Sequence, residues 1–202
     1  LFPLLLQEPG GRANGRKQAQ PILIRAGPGT GKTWCVMQLL FFLARTQTLP
    51  LSERFRMAKE GFRLRFKYLA RDLQDHATRF QLTPYVIYVQ KLAQLLRNVA
   101  REGKDMPRKD LVRFYIHAQL KEGIFGEDEK SMLLQLYQMR GLILLVDGVD
   151  EAADLKELVE DYITKDLVKE GHPVIVTSRP EGVRLRLFAA DFVIMNLDAL
   201  TK

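Results

Sequence analysis

The sequence predicts an α/β protein with a five-stranded, mostly parallel sheet and helices on both of its faces. Five short apolar runs, each typical of a buried strand, alternate with longer segments of helical patterning. Polar motifs directly follow several of these runs, as expected where parallel strands end at a ligand-binding edge. The length of 202 residues suits one domain, and the hydrophobic fraction of 47% is that of an ordinary globular protein.

The predicted strands share a high content of valine, isoleucine and leucine and a boundary at glycine, proline or a charged residue. They are 21–25, 84–89, 141–146, 173–177 and 192–195.

The segments between the strands predict helices. The first, 33–46, is apolar nearly all round and is expected to pack deeply against the sheet, with Trp34 and Cys35 packing within it. The others are a stretch ending at about Arg101 and the segments 110–122, 129–140 and 154–170.

Two segments are set apart from the domain at 21–202. Residues 1–20 are Gly-rich and polar, and we expect a flexible lead-in. Residues 49–81 alternate basic and apolar side chains and predict a basic helical insertion of one or two amphipathic helices. A helix that covers the sheet edge is favoured there over a membrane-surface or partner-binding role.

The charge is uneven along the chain. Residues 1–101 hold 17 Lys and Arg against 5 Asp and Glu, whereas residues 102–202 hold 14 against 19. A basic half is compatible with nucleic acid or acidic lipid. A solvated surface with a site for a polyanionic ligand is favoured, and nucleic acid is an unlikely partner, because no nucleic-acid module accompanies the charge.

The remaining composition favours a cytoplasmic setting. No apolar run approaches the ~18–20 residues of a transmembrane segment. The single cysteine, Cys35, cannot form an internal disulfide, which fits a reducing compartment. The first residue is Leu1, and we expect a piece of a longer polypeptide.

Residues 26–33 match the Walker A loop of the P-loop NTPases, with Ala26 in place of the usual first glycine. The glycines allow backbone N–H groups to approach phosphate oxygens, and the following helix directs its positive dipole end at them. Lys32 is expected at the β- and γ-phosphates, and the Thr33 hydroxyl is expected to ligate Mg²⁺. The predicted nucleotide contacts are Ala26, Gly27, Pro28, Gly29, Thr30, Gly31, Lys32, Thr33 and Trp34. ATP and ADP are favoured over guanine nucleotides because no guanine-reading motif is present.

Acidic residues follow the third strand. Asp147, at the end of five apolar residues, is the predicted Walker B carboxylate on the metal side, through a metal-bound water. Asp150 and Glu151 lie just beyond, where one of them could orient or deprotonate an attacking water. A helix N-terminus that favours acids is the alternative for these two, but it does not explain Asp147.

Arg179 follows the fourth strand in the run Thr177-Ser178-Arg179-Pro180. It could reach a γ-phosphate and distinguish ATP from ADP. A solvated loop arginine is the alternative, and the two other motifs favour the sensor.

With these motifs, the sequence resembles the NACHT domain, in the STAND (signal-transducing) class of P-loop NTPases. The resemblance rests on GPGTGKT (27–33), LILLVDGVDEA (142–152) and VIVTSRP (174–180), and with the strand PYVIYVQKLAQLL (84–96) it spans most of residues 21–198. Its most specific element is Gly148 directly after the aspartate, followed by the acidic pair.

The resemblance implies an ATP/ADP switch with slow Mg²⁺-dependent hydrolysis in a larger NLR-like protein that oligomerises. It also implies an ASCE-type strand order, with 174–177 between 22–25 and 142–146, and a sensor role for Arg179. The family's winged-helix segment and nucleotide-contacting histidine are not found in this sequence. A non-hydrolysing assembly scaffold and an AAA-type or helicase-like motor are the alternatives.

Overall fold

The structure, a computed structural model, describes residues 20–48 and 82–197. Within them lies one sheet of five parallel strands, in the order β2-β3-β4-β1-β5. The strands are β1 (Ile22–Ala26), β2 (Thr83–Tyr88), β3 (Leu142–Asp147), β4 (Val174–Ser178) and β5 (Val193–Leu197). The five predicted strands are therefore confirmed to within two residues. The fourth strand lies between the first and the third, as expected.

Helical segments connect the strands. They are α1 (Lys32–Thr48), α2 (Val89–Arg101), α3 (Leu111–Lys121), α4 (Glu127–Gln138), α5 (Lys156–Asp161) and α6 (Leu185–Phe188), with 3₁₀ turns at Val149–Leu155 and Pro180–Gly182 and a π-helical turn at Tyr162–Leu167. None of the helices in these described ranges is long and apolar enough to cross a membrane.

The core lies on both faces of the sheet because successive side chains of each strand point to opposite faces. Ile143 and Leu145 of β3 pack on one face with Val36 and Leu43 of α1. Leu142, Leu144 and Val146 pack on the other face with a larger cluster. This second cluster includes Leu92 and Leu96 of α2, Tyr115 of α3, Leu133 of α4 and Val159 of α5. The sheet is thus covered by helices on both faces, and its three central strands, β3, β4 and β1, are buried along nearly all of their length, whereas the edge strands β2 and β5 are mostly half-buried.

The predicted helix over 154–170 is confirmed over most of its length, because α5 continues without a break into the π-helical turn Tyr162–Leu167. The prediction missed the change of helix type at Tyr162. Ala153, at φ 54°, lies just before the predicted start and separates this helix from the first residues of the 3₁₀ turn. The amphipathic pattern is still satisfied, because Val159, Ile163 and Leu167 are all buried against the sheet.

The predicted lead-in over 1–20 lies outside the described residues except for Gln20, and the predicted basic insertion over 49–81 lies outside them entirely. Both remain sequence-based predictions.

Candidate functional site

The glycine-rich loop begins where β1 ends and stops where α1 begins. Gly29 and Gly31 have φ values of 72° and 85°, a region in which side chains other than glycine are strained. The Thr30 hydroxyl donates to the Gly27 carbonyl oxygen at 2.7 Å, which closes the loop. Because α1 begins at Lys32, the positive end of its dipole lies at the loop. The loop therefore has the conformation and polarity of an anion-binding turn.

Thr33, in the first turn of α1, contacts the end of β3. Its hydroxyl donates to Oδ2 of Asp147 at 3.0 Å, although the two residues are 114 positions apart. The other oxygen, Oδ1, accepts a hydrogen bond from the hydroxyl of Thr177 on β4. Asp147 and Thr177 are both buried. This carboxylate is thus fixed by two neighbouring elements and aimed at the loop.

Thr177 also holds the turn after β3. Its hydroxyl oxygen accepts a hydrogen bond from the backbone N–H of Gly148 at 3.0 Å while the hydroxyl donates to Asp147. Thr177 was not predicted as a site residue. The only sequence signal for it was its position in the strand that leads to Arg179.

A divalent cation fits the pair of Thr33 and Asp147. Hydroxyl and carboxylate oxygens are the kinds of ligand that Mg²⁺ takes in proteins. The 3.0 Å between Thr33 Oγ1 and Asp147 Oδ2 is the length of the hydrogen bond that joins them. The described residues contain no cluster of three or more His, Cys, Asp or Glu that could hold a metal. The chain would supply few ligands, and phosphate or water oxygens the rest.

Gly148 makes the sharp turn between β3 and the 3₁₀ segment. Its φ of 78° lies in the left-handed region, and a Cβ there would lie only 3.0–3.3 Å from the carboxylate atoms of Glu151. The positive φ favours glycine, and a Cβ would also push the Glu151 carboxylate aside by a few tenths of an ångström. The sequence signal of a small residue after the metal-side aspartate therefore has a physical reason: it allows Glu151 to fold back over the turn.

Asp150 is the centre of the charged part of the site. Its Oδ1 and Oδ2 accept hydrogen bonds from the ammonium of Lys32 at 2.9 and 3.1 Å. Oδ2 also lies 3.0 Å from Nε of Arg179, and Oδ1 accepts from the Arg179 backbone N–H at 3.1 Å. One carboxylate thus joins the loop lysine to the arginine that follows β4.

Burial and hydrogen bonding act in opposite directions on Asp150. Burial by itself raises the pKa of the carboxyl, but the hydrogen bond from Lys32, the Arg179 backbone N–H and the Lys32 charge together hold that pKa below its ordinary value. The side chains of Lys32 and Asp150 are only 12% and 9% exposed. Asp150 is therefore ionised and well shielded from solvent, so it is a weak proton acceptor while these partners remain.

Gly182 closes the site from the side of β4. A Cβ at this position would clash with the Cβ of Asp150 and would lie 2.7 Å from the Ser178 hydroxyl oxygen. The 3₁₀ turn Pro180–Gly182 therefore packs its backbone against Asp150. Sequence reasoning missed Gly182, because a single glycine in a loop carries no signal that distinguishes close packing from an ordinary turn.

Glu151 differs from its neighbour. It is exposed, and its carboxylate makes no hydrogen bond or ion pair with any residue that the structure describes. Of the two acids predicted to act on water, Glu151 has the freer carboxylate in this conformation.

The prediction that Trp34 packs within the first helix is wrong, since its side chain is 62% exposed. The sheet-facing side of α1 carries Val36 and Leu43, and Trp34, Met37 and Phe41 lie on the opposite side. Trp34 directly follows Thr33 in the first turn of α1. Cys35 is half-buried, and burial together with the nearby Asp147 raises the pKa of its thiol.

The fold thus brings Lys32, Thr33, Asp147, Asp150 and Arg179 together at the carboxyl ends of three adjacent strands, from three separate parts of the chain. Ala26 is buried at the end of β1, whereas Pro28 and Gly29 are exposed on the loop. No protein-family model, curated protein or solved structure matches the chain.

Proposed function

We propose that this chain is a nucleotide-binding switch module of the P-loop class that binds ATP and ADP with Mg²⁺ and hydrolyses ATP slowly. The observation that carries the proposal is the pair of cross-chain contacts at the loop: Lys32 with Asp150, and Thr33 with Asp147. Neither contact contributes to the apolar core. Buried charges at the carboxyl edge of a parallel sheet, beside a glycine-rich loop, are most simply explained by a ligand that uses them.

Each residue has a distinct task in this proposal. The backbone of the loop and the ammonium of Lys32 bind phosphate oxygens, because both are hydrogen-bond donors at the start of a helix. Thr33 and Asp147 would hold Mg²⁺, which when bound neutralises part of the phosphate charge. Thr177 keeps the Asp147 carboxylate oriented. Arg179 binds the terminal phosphate, and Glu151 orients or deprotonates the water.

The alternative functions differ in whether they need an acidic residue that acts on water. A scaffold that holds nucleotide without turnover needs Lys32 and Thr33 but has no use for Glu151. The carboxylate of Glu151, which has no hydrogen-bond or ion-pair partner among the described residues, favours hydrolysis. A motor ATPase would need rapid turnover and, for nucleic acid, a salt-sensitive binding surface. The resemblance to the NACHT domain favours a switch that acts within a larger, self-associating protein.

The test is a titration of the 202-residue chain with fluorescent ATP and ADP, with and without Mg²⁺. We expect wild type to bind both nucleotides and Lys32→Ala to bind neither, because the ammonium that contacts the phosphates is lost. Turnover well below about 1 per second, the low end of typical enzymes, distinguishes a switch from a motor.

The matched control is Lys169→Ala. Lys169 is exposed and precedes β4, so it lies at the opposite, amino-terminal edge of the sheet. It should bind nucleotide as wild type does. Equal affinity in wild type and Lys32→Ala, or no binding in a folded wild-type sample, would contradict the proposal.

A further inference from the structure

We propose that Asp150 is an internal counter-anion of the phosphate site, which a bound phosphate must displace from Lys32 and Arg179. The inference rests on the proposed function and deepens it, because it names the residue that sets the affinity of the site. It also gives Asp150 a role other than the predicted one in water activation.

The contacts of Asp150 are those of an anion already seated between two cations. Its two carboxylate oxygens receive the Lys32 ammonium, the Arg179 side chain and the Arg179 backbone N–H, at distances of 2.9–3.1 Å. These are the donors that a phosphate group would need. The carboxylate thus neutralises the shielded ammonium of Lys32, which is 12% exposed, and also pairs with the half-exposed Arg179.

The position of Asp150 is fixed by backbone packing. The 3₁₀ segment that carries it starts at Gly148, whose N–H is held by Thr177. On its other side the backbone of Gly182 packs so closely that no side chain fits between them. The backbone and Cβ of Asp150 are therefore held in place beside the two cations, and its carboxylate competes with the phosphate for them.

Lys32 and Arg179 are both paired with the Asp150 carboxylate, so a ligand that binds one of them affects the pairing of the other. A ligand that reaches only Lys32 leaves the contact between Asp150 and Arg179 in place. A ligand that reaches both cations leaves the carboxylate with neither partner, at a buried position beside the reacting phosphate. The number of phosphates bound would then decide whether Asp150 is paired or free, which is the distinction that a nucleotide switch must make.

The main test compares wild type with Asp150→Asn, which keeps the shape and the acceptor oxygen but removes the charge. The probes are ATP, ADP and inorganic tripolyphosphate, titrated with Mg²⁺ present. Hydrogen bonds to charged groups are stronger than those between neutral groups, so removal of the competing charge should tighten binding of each probe about tenfold or more. Binding of tripolyphosphate must tighten as well, because the Asp150 carboxylate competes with phosphate groups and not with the adenine base.

The matched control is Asp154→Asn. Asp154 is in the same 3₁₀ segment but pairs with Arg97, away from the loop. It should leave all three affinities unchanged.

A second measurement needs no nucleotide. Thermal unfolding of Lys32→Ala, Asp150→Asn and the double variant forms a double-mutant cycle for the resting contact. We expect the double variant to lose less in Tm than the sum of the two single losses. Additive losses would overturn the resting contact itself, whether or not the chain binds nucleotide.

The outcomes separate the two proposals. If wild type binds ATP, Lys32→Ala does not, and Asp150→Asn binds no tighter than wild type, the function stands and the counter-anion role is wrong. If neither wild type nor Asp150→Asn binds any of the three probes, both are wrong.

Discussion

The two edges of the sheet both hold buried polar groups, but of different kinds. At the carboxyl edge they are charged and joined across the chain, as in Lys32 and Asp150, and Asp150 also contacts the half-exposed Arg179. Toward the amino-terminal edge they are neutral. His172, just before β4, is 4% exposed and stacks on Tyr137 at 4.4 Å, and the Tyr137 hydroxyl lies 3.1 Å from that of Tyr162.

This difference indicates which polar groups a ligand can use. Buried charges that are paired only with each other can exchange partners when a charged ligand enters. Neutral aromatic and imidazole groups have no charge to exchange and act through packing and hydrogen bonds. Substitutions at the carboxyl edge should therefore change binding and turnover, and substitutions at the amino-terminal edge should change stability.

Among variants that still bind nucleotide, the largest effect should come from Glu151→Gln at the carboxyl edge. An amide cannot accept a proton from water, and general base catalysis contributes about 10²-fold or more. We expect ATP hydrolysis to fall by about that factor while ATP affinity stays near wild type, measured by phosphate release and by titration. Asp154→Asn serves as control. Wild-type turnover in Glu151→Gln would remove this residue from catalysis.

Folding stability should depend on pH through His172, which lies toward the amino-terminal edge. Burial, together with the charge of Arg140, lowers the pKa of His172 to about 4. At neutral pH the imidazole is therefore uncharged, and its 3.6 Å contact with Glu170 is not an ion pair. In the unfolded chain an ordinary histidine has a pKa near ~6.5.

The sign of the effect follows from these two values. Between about pH 6.5 and 4 the unfolded state binds more protons than the folded state, so stability falls as pH falls. The contribution of uncharged His172 to the free energy of unfolding is fully present above about pH 6.5 and is lost by about pH 4. Its upper limit is ~3 kcal/mol.

We expect His172→Phe to remove this pH dependence, measured by denaturant unfolding at pH 7, 5.5 and 4. His117→Gln, at an exposed position on α3, should keep it. Nucleotide affinity should be unaffected in both variants. A parallel pH profile in wild type and His172→Phe would contradict the assignment.

The sequence predicts the strands and the loop at the carboxyl edge better than it predicts the contacts between their side chains. Apolar runs such as Leu142–Val146 predict strands because burial on both faces needs them, and the glycine-rich loop follows from its spacing. The pairing of Lys32 with Asp150 spans 118 positions and depends on how the 3₁₀ segment turns after Gly148. No local pattern encodes that distance.

The wrong prediction for Trp34 has a physical cause. Helix α1 is apolar nearly all round, so its sequence does not indicate that Trp34 faces away from the sheet. The helical period over 154–170 does predict the helix there, but it does not indicate the π-helical turn at Tyr162–Leu167.

A moderate effect is expected from Gly148→Ala, which separates the cost of backbone strain from a role in hydrolysis. The left-handed conformation costs an alanine about 1–2 kcal/mol. Gly123→Ala is the matched control, because Gly123 also has a positive φ, of 71°, but open space around its Cβ position.

Both glycine variants should lose similar stability in denaturant unfolding. Only Gly148→Ala should also slow hydrolysis, because its Cβ displaces the carboxylate of Glu151. Equal hydrolysis in the two variants would mean that the position of Glu151 over the turn has no role in turnover.

The smallest effect should come from Arg179→Ala. The side chain of Arg179 is 48% exposed and shares Asp150 with Lys32, so its loss leaves the main phosphate contacts in place. If Arg179 reaches only the terminal phosphate, the variant should lose up to about tenfold in ATP affinity and little in ADP affinity, since one charge-assisted hydrogen bond contributes about 1.5 kcal/mol. Arg186→Ala, at an exposed position on α6, is the control. Parallel titrations with ATP and ADP measure the ratio. An unchanged ratio would leave Arg179 as a structural partner of Asp150, and the carboxyl edge would then sense phosphate through Lys32 alone.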